Sequence, residues 1–291
     1  MGSEFMAPRP PANTNRLGGQ RLEQIGSGDW SLLLPAYYAW VFSVHYPTLV
    51  AAAAVDEVEP GSGERRWLWH SLDDGLAAAV NGLLEALHRL VIIDPKVPRE
   101  DPLACGLDQA AALDFNYHSG GRRTGLGQLE YRAKYQQSPQ ARAILGEHMA
   151  RSLPLLPRRF PEVPTSIAGV PSRRRRTFQL AAELATRITS LANEWNLLPT
   201  PLSTVEVVIA ARKSEAKSLS MAGKRKLWTR LLEADALAMS GSVRGQTVYV
   251  VDDLYQSGIT LGSVASYLKS RGALEVIGLA AVKSLSNTDN L

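Results

Sequence analysis

The second half of the chain alternates short apolar runs with longer stretches in which apolar residues recur every three or four positions. The apolar runs 166–171, 205–210, 247–251 and 276–282 predict strands, and the stretches between them predict helices. Strands that alternate with helices are typical of a parallel sheet that helices cover on both faces. The pattern therefore predicts an α/β domain over residues 127–284.

The first half of the chain has a less regular pattern. Residues 1–28 open with a tag-like stretch and continue with many Pro, Asn, Gly and Gln residues, which indicates a flexible lead-in. Apolar residues at helical spacing predict a helix capped by Ser71, and prolines predict an irregular connector over 93–121. We expect residues 29–120 to form a separate, mostly helical region of unassigned role, and residues 285–291 to be disordered.

Residues 30–55 form an uncharged run of 26 residues, which is long enough to raise the question of a membrane span. Pro35, Pro47 and His45 interrupt the run, and no basic cluster flanks it closely. We therefore predict no membrane span, and expect either buried core segments or a subunit interface. The second alternative makes a homodimer an expectation.

The composition is that of a globular protein. Its 291 residues are 45% hydrophobic, which suffices for one large or two modest domains. Cys105 is the single cysteine, which excludes an internal disulfide and fits a reducing cytoplasm. The net charge is +4, and the densest basic run is the four arginines of residues 173–176. Such a run suits either a ligand with several phosphates or single-stranded nucleic acid.

The third apolar run leads directly into two acids and then into a loop of hydroxyl and glycine residues. Ser257, Gly258 and Thr260 supply two hydroxyls and a residue that tolerates positive φ, so successive backbone N–H groups can converge on one anion. Asp252 and Asp253 cannot hold that anion, because like charges repel. Carboxylates suit sugar hydroxyls or a hydrated divalent cation. The combination indicates a phosphorylated sugar as the ligand.

Residues 247–261 resemble the 5-phosphoribosyl-1-pyrophosphate (PRPP) motif of type I phosphoribosyltransferases, in which apolar residues precede two acids and a hydroxyl–glycine loop. The sequence departs from that motif at Gln256, where Thr or Ser is usual. The resemblance implies that Asp252 and Asp253 are the catalytic acids, which bind the ribose hydroxyls and Mg²⁺, directly or through water. It also implies a loop for the 5′-phosphate made of Leu254, Tyr255, Gln256, Ser257, Gly258, Ile259 and Thr260.

Two further loops are basic and follow predicted strands. Ser172 and Arg173 lie after the first of these strands, and Arg212 and Lys213 lie after the second. A strand, a basic loop and a helix form a phosphate-binding order. Under the same resemblance these four residues bind the pyrophosphate of PRPP together with Mg²⁺. The charged segment 211–219 would then close over the site as a lid.

The order of elements over residues 127–283 is similar to that of the ComF family of phosphoribosyltransferase-like proteins. The matching positions are Lys134 with Tyr135, Gly169 to Pro171, the arginines 173–176, Phe178 to Ala181 with Leu184 and Ala185, Arg212 to Ser214 with Lys217, and the two acids. The zinc-binding cysteines often found at the front of ComF relatives are absent, and Lys217 stands where Gln is usual.

The resemblance favours an enzyme, a phosphoribosyltransferase that moves a 5-phosphoribosyl group to a nitrogen nucleophile and releases pyrophosphate. The sequence does not indicate the acceptor. Two alternatives stay open: a regulator that senses PRPP or a nucleotide without turnover, and a ComF-like factor that handles single-stranded DNA. All three fit a cytoplasmic protein.

Overall fold

The computed structural model describes residues 14–15, 17, 20–26, 28–60, 64–93, 106–156, 158–172, 178–210 and 220–285. Its strands are β1 (Thr14–Asn15), β2 (Glu23–Ile25), β3 (Asp29–Leu34), β4 (Val55–Val58), β5 (Arg65–Trp69), β6 (Val91–Ile93), β7 (Gln109–Phe115), β8 (Thr165–Gly169), β9 (Leu202–Thr204), β10 (Val207–Ile209), β11 (Leu237–Met239), β12 (Thr247–Tyr255) and β13 (Glu275–Lys283). Its helices are α1 (Ala36–His45), α2 (Pro47–Ala51), α3 (Asp74–His88), α4 (Gly125–Tyr135), α5 (Pro139–Ser152), α6 (Leu180–Glu194), α7 (Met221–Glu233) and α8 (Ile259–Ser270), with a 3-10 turn at Leu153–Leu155.

The chain divides into two units, of which the larger comprises Met1–Asn15, Val91–Leu153 and Phe160–Leu291. Its main sheet has the strand order β1-β6-β7-β13-β12-β8-β9. The strands from β7 to β9 in that order pair in parallel, and β6 pairs antiparallel with both β1 and β7. The predicted α/β architecture with a parallel sheet is therefore confirmed.

The two central strands owe their position to continuous apolar sequence. All of β13 and the first five residues of β12 are buried, as expected for strands that helices cover on both faces. Val248 and Val250 of β12 share one core with Val264 and Leu268 of α8. Burying each such side chain stabilises the fold by about 1.5–3 kcal/mol. This packing fixes β12 against α8.

Two strand assignments from the sequence need correction. The segment predicted as an irregular connector contains β7, a strand that pairs in parallel with β13. Its run of alanines has low intrinsic strand preference, and pairing with its neighbours supplies the order that the local sequence does not. The predicted strand 205–210 contains only β10, which pairs antiparallel with β11 in a separate sheet, and the main-sheet strand is β9, which ends just before it.

The smaller unit comprises Arg16–Leu90 and Pro154–Arg159. An antiparallel sheet in the order β2-β3-β5-β4 accompanies α1, α2 and α3. Its core centres on Phe42, whose ring centroid lies 5.2 Å from that of Trp67 and 6.4 Å from that of Trp69. The region that we predicted to be mostly helical is thus a mixture of helices and strands. Within the described ranges, no helix combines the length and apolar character that a membrane crossing requires.

The chain before residue 91 differs from prediction in two further respects. The expected flexible lead-in contributes β1 and β2, which pair with β6 and β3. Helix α3 is capped by Asp73, not Ser71, because the Asp73 carboxylate accepts a hydrogen bond from the Leu76 N–H at 3.1 Å. The predicted disorder of residues 285–291 falls almost wholly outside the described residues.

Candidate functional site

The acid pair lies in the last part of β12, where this strand extends beyond β8. Pairing between β8 and β12 ends at Gly169 and Val251, whereas β13 continues alongside β12 to the pair of Tyr255 with Lys283. The strand thus runs two residues past the acids, into positions that we assigned to the loop. Asp252 and Asp253 lie at the carboxyl edge of the parallel sheet, where α/β proteins bind ligands.

The loop after β12 makes a tight approach to α8. Gly258 has φ of +77°, and a Cβ atom at this position would lie 2.3 Å from the hydroxyl oxygen of Tyr255. Glycine is therefore required on both conformational and steric grounds. The first N–H groups of a helix have no intrahelical acceptor, so Ile259 and Thr260 begin α8 with donors available to an anion. Ser257 precedes them within the same loop.

A lysine from a distant helix pairs with the second acid. The Nζ atom of Lys134, on α4, lies 3.0 Å from both carboxylate oxygens of Asp253 and 3.6 Å from Oε1 of Glu130. Burial lowers the pKa of Lys134, but the charges of Asp253 and Glu130 outweigh it and raise that pKa above the ordinary value. Burial raises the pKa of Glu130. Lys134 is therefore a fixed cation at the acid pair.

The first acid of the pair, Asp252, has a strongly raised pKa. Burial raises the pKa of Asp252 to about 8, the negative charge of Asp253 adds to this effect, and Lys134 opposes it. Oδ1 of Asp252 also accepts a hydrogen bond from the Asp253 N–H at 2.8 Å. Near neutral pH, Asp252 is consequently largely protonated and can donate a hydrogen bond, whereas a carboxylate paired with a lysine accepts. Sugar hydroxyls need partners of both kinds.

Two lysines converge on Gln256, the residue that departs from the family motif. Lys283, at the end of β13, is fully buried and donates to the backbone oxygens of Gln256 at 3.3 Å and Ser284 at 2.7 Å. Burial lowers the pKa of Lys283 to about 8. Lys224, in α7, donates to Oε1 of Gln256 at 3.5 Å. The loop is thus bounded by positive charge on two sides.

The structure brings some of the predicted site residues together and leaves others untested. Ser172 follows β8 and so leaves the sheet at the same edge as the acids; its N–H donates to Oε1 of Gln179 at 3.1 Å. The predicted pyrophosphate ligands Arg173, Arg212 and Lys213 lie outside the described residues. Residues 254–260 form the end of β12, the loop and the start of α8.

Sequence reasoning missed Glu130 and Lys283. A lysine directly after the apolar run 276–282 was the available signal for Lys283, since it follows a predicted central strand at the ligand edge. Glu130 lies one helical turn before Lys134. That spacing indicates an ion pair within the helix. It does not indicate that both residues lie near Asp253 of β12.

The donor set fits Mg²⁺ only in part. Among the described residues, no group of three or more His, Cys, Asp or Glu side chains is arranged to hold a metal ion. Both oxygens of Asp253 already contact the Lys134 ammonium, so this carboxylate is poorly placed to coordinate a dication directly. The observed geometry leaves contact through water as the better fit.

These features define an α/β protein with a strand–loop–helix unit beside an acid pair. Residues 144–289 match the family model described as the phosphoribosyl transferase domain. Because the match spans half of the chain, the protein belongs to the phosphoribosyl transferase domain family. No curated protein sequence matches the chain.

Solved structures of phosphoribosyltransferases also match. A hypoxanthine phosphoribosyltransferase from Staphylococcus aureus is 13% identical, with 52% of this chain and 68% of that chain covered and a TM-score of 0.31. The orotate phosphoribosyltransferase of Mycobacterium tuberculosis H37Rv, in complex with PRPP, is 20% identical, with 55% of this chain and 75% of that chain covered and a TM-score of 0.31. A purine phosphoribosyltransferase from Pyrococcus horikoshii is 13% identical, with 51% of this chain and 86% of that chain covered and a TM-score of 0.31. At such low identities and TM-scores, these likenesses do not bear on function.

Proposed function

We propose that the protein binds PRPP and transfers its 5-phosphoribosyl group to a nitrogen nucleophile, with release of pyrophosphate. The single observation that carries this proposal is the order of groups at the end of β12: two acids, the Gly258 turn and the start of α8. Family membership supports it, because the match to the phosphoribosyl transferase domain includes all of these residues.

Each part of this site suits one part of the ligand. Ser257, Gly258 and Thr260 would hold the 5′-phosphate with hydroxyls and with N–H groups at the positive end of α8. Asp252 and Asp253 would bind the ribose hydroxyls, one as a donor and one as an acceptor. The phosphate and the acids are kept apart because they belong to opposite ends of the loop.

In the proposed reaction, the bond between the anomeric carbon and a pyrophosphate oxygen breaks. A bond from the nucleophilic nitrogen to that carbon forms, and the nitrogen loses a proton to solvent. Positive charge develops on the ribose ring, and the Asp253 carboxylate would stabilise it. The predicted pyrophosphate ligands Ser172, Arg173, Arg212 and Lys213 would stabilise the leaving group, with segment 211–219 as a lid. Mg²⁺ would accompany the pyrophosphate as its counter-ion.

Calorimetric titration of PRPP, with and without Mg²⁺, tests the binding step, and an assay of pyrophosphate release with a pool of nucleobases and amines tests turnover. We expect the double variant Asp252→Asn, Asp253→Asn to lose PRPP binding. Full affinity in that variant would remove both acids from the site. Arg173→Ala should weaken pyrophosphate binding more than ribose 5-phosphate binding, and equal losses would contradict its assigned role.

A second candidate function is PRPP or nucleotide sensing without turnover, and Gln256 favours it. The motif usually has a hydroxyl residue here, whereas in this protein the Gln256 side chain and backbone both contact lysines. Binding without pyrophosphate release would support this second function. Recovery of release in Gln256→Thr would show that this one residue prevents turnover.

The ComF-like character, a single-stranded DNA partner, a homodimer and a cytoplasmic location also remain proposals. A salt-sensitive mobility shift with single-stranded DNA, lost on replacing the arginines 174–176, would support the nucleic-acid role. Sedimentation equilibrium would test the dimer. If these replacements leave the DNA affinity unchanged, the arginines do not bind DNA, and they either bind phosphate ligands or form a solvated surface.

A further inference from the structure

Two carboxylates contact one ammonium group at the candidate site. Lys134 contacts both oxygens of Asp253 at 3.0 Å and Glu130 at 3.6 Å, and Asp252 adjoins Asp253 in the chain. The side chains of Lys134, Asp253 and Glu130 are 22%, 18% and 6% exposed, so solvent screens this cluster only weakly. An ammonium group is therefore already positioned where a metal-binding acid pair would place its cation.

The two contacts fix this ammonium group from both sides. Glu130 and Lys134 are separated by one helical turn of α4, whereas Asp253 belongs to a strand far along the chain. Lys134 thus joins α4 to the ligand edge of the sheet. A dication bound directly to Asp253 would lie within contact distance of the ammonium group, and the repulsion would oppose its binding.

We infer that Lys134 is the resident cation of the acid pair, a positioning residue that acts through Asp253 and lets the ribose 5-phosphate part of the ligand bind without a metal. The inference rests on the proposed PRPP site and deepens it. It confines any requirement for Mg²⁺ to the pyrophosphate part of PRPP.

The test compares ribose 5-phosphate binding in EDTA and in Mg²⁺ for the unaltered protein and for Lys134→Met, Lys134→Arg and Lys269→Met. Lys269 is a matched control, because its Nζ lies 2.7 Å from Asp108 and the two side chains are 30% and 17% exposed. It belongs to the far end of α8. Electron paramagnetic resonance with Mn²⁺ alone measures metal binding without any ligand.

We expect the unaltered protein to bind ribose 5-phosphate equally in EDTA and in Mg²⁺. Lys134→Met should bind at least tenfold more weakly in EDTA and recover in Mg²⁺, because the dication replaces the lost ammonium group. The same variant should bind Mn²⁺ more tightly than the unaltered protein does. Lys134→Arg and Lys269→Met should behave like the unaltered protein.

A requirement for Mg²⁺ in the unaltered protein would overturn the inference, and so would normal affinity of Lys134→Met in EDTA. Lys134→Met leaves the buried Glu130 carboxylate without its lysine partner, which can prevent folding. In that case the double variant Glu130→Gln, Lys134→Met, which also removes this carboxylate, is tested instead. Failure of the unaltered protein to bind either ribose 5-phosphate or PRPP under any metal condition would be a different result. It would remove the proposed function and, with it, this inference.

Discussion

At the scale of single residues, Asp252 and Asp253 show how neighbouring identical side chains acquire different chemistry. Asp253 is paired with Lys134, and Asp252 is held protonated by burial and by the charge of its neighbour. The sequence identified both acids and Gly258, because a strand, two acids and a glycine turn form a local pattern. It could not predict the contact between Asp253 and Lys134, because this contact depends on how α4 packs against a strand far along the chain.

Asp252→Asn should stabilise the protein, whereas Asp253→Asn should destabilise it. The folded state holds Asp252 at a raised pKa of about 8, so the folded state binds the extra proton and its stability falls as pH rises from about 4 to 8. Asparagine removes that cost, by about 1–3 kcal/mol at pH 8 after allowance for partial exposure. Thermal unfolding at pH 5 and pH 8 measures it. A lower Tm for Asp252→Asn at pH 8 would contradict the assignment.

Lys283 predicts a pH dependence of the opposite sign. Burial lowers its pKa from 10.5 to about 8, so between these pH values the unfolded chain binds the extra proton and stability rises with pH. The gain is at most about 3 kcal/mol. The stability difference between the unaltered protein and Lys283→Met should therefore grow in favour of the unaltered protein from pH 8 to pH 10. If the difference in the free energy of unfolding between the two proteins is constant across that range, the pKa of Lys283 is not lowered.

At the scale of elements, the β12–loop–α8 unit was predictable because its signals are contiguous: an apolar run, acids, glycine and a helical repeat. Strand β7 was not, because its alanines carry little strand preference and β13 orders it by pairing. The same argument explains why β12 extends beyond the acids. Pairing with β13 continues to Tyr255, past the point where the apolar run of β12 ends.

Gly258→Ala should damage the loop more than Gly241→Ala, although both glycines have φ near +78°. A methyl group at Gly258 would lie 2.3 Å from the Tyr255 hydroxyl oxygen, whereas Gly241 has no atom within 4 Å. The positive φ alone costs about 1–2 kcal/mol in each variant. Only Gly258→Ala should also lose PRPP affinity, by tenfold or more in calorimetry.

Adding Tyr255→Phe to Gly258→Ala provides an internal check, since it removes the atom nearest to the new methyl group. Affinity should recover in part. Equal PRPP affinity for Gly258→Ala and Gly241→Ala would show that the close contact with Tyr255 does not shape the phosphate site.

At the scale of the whole molecule, the chain forms two units, and each unit is built from segments that are not contiguous in the sequence. Residues 91–120, which we grouped with the N-terminal region, supply β6 and β7 to the main sheet, and Pro154–Arg159 returns to the smaller unit. Local periodicity cannot reveal such a return, because it depends on which segments meet in space. The smaller unit has its own aromatic core.

Trp67→Ala should destabilise the smaller unit selectively. Trp67 is fully buried beside Phe42, and loss of a buried aromatic side chain costs about 3–5 kcal/mol. Hydrogen exchange followed by mass spectrometry should show faster exchange in β3 and β5, with protection retained in β12 and β13. Uniform acceleration over both units would mean that they unfold as one.

Gly169, at the end of β8, bears on how a mutational scan of this protein would look. A Cβ atom there would lie 2.6 Å from the backbone of Ala182 in α6, so any side chain must push that helix off the sheet. A scan scored by cellular abundance would therefore accept only glycine at position 169 and would tolerate asparagine at position 252. A scan scored by ligand capture would reject changes at both. Positions that tolerate substitution in the abundance scan but not in the ligand-capture scan would therefore identify the binding surface, even though the acceptor is not known.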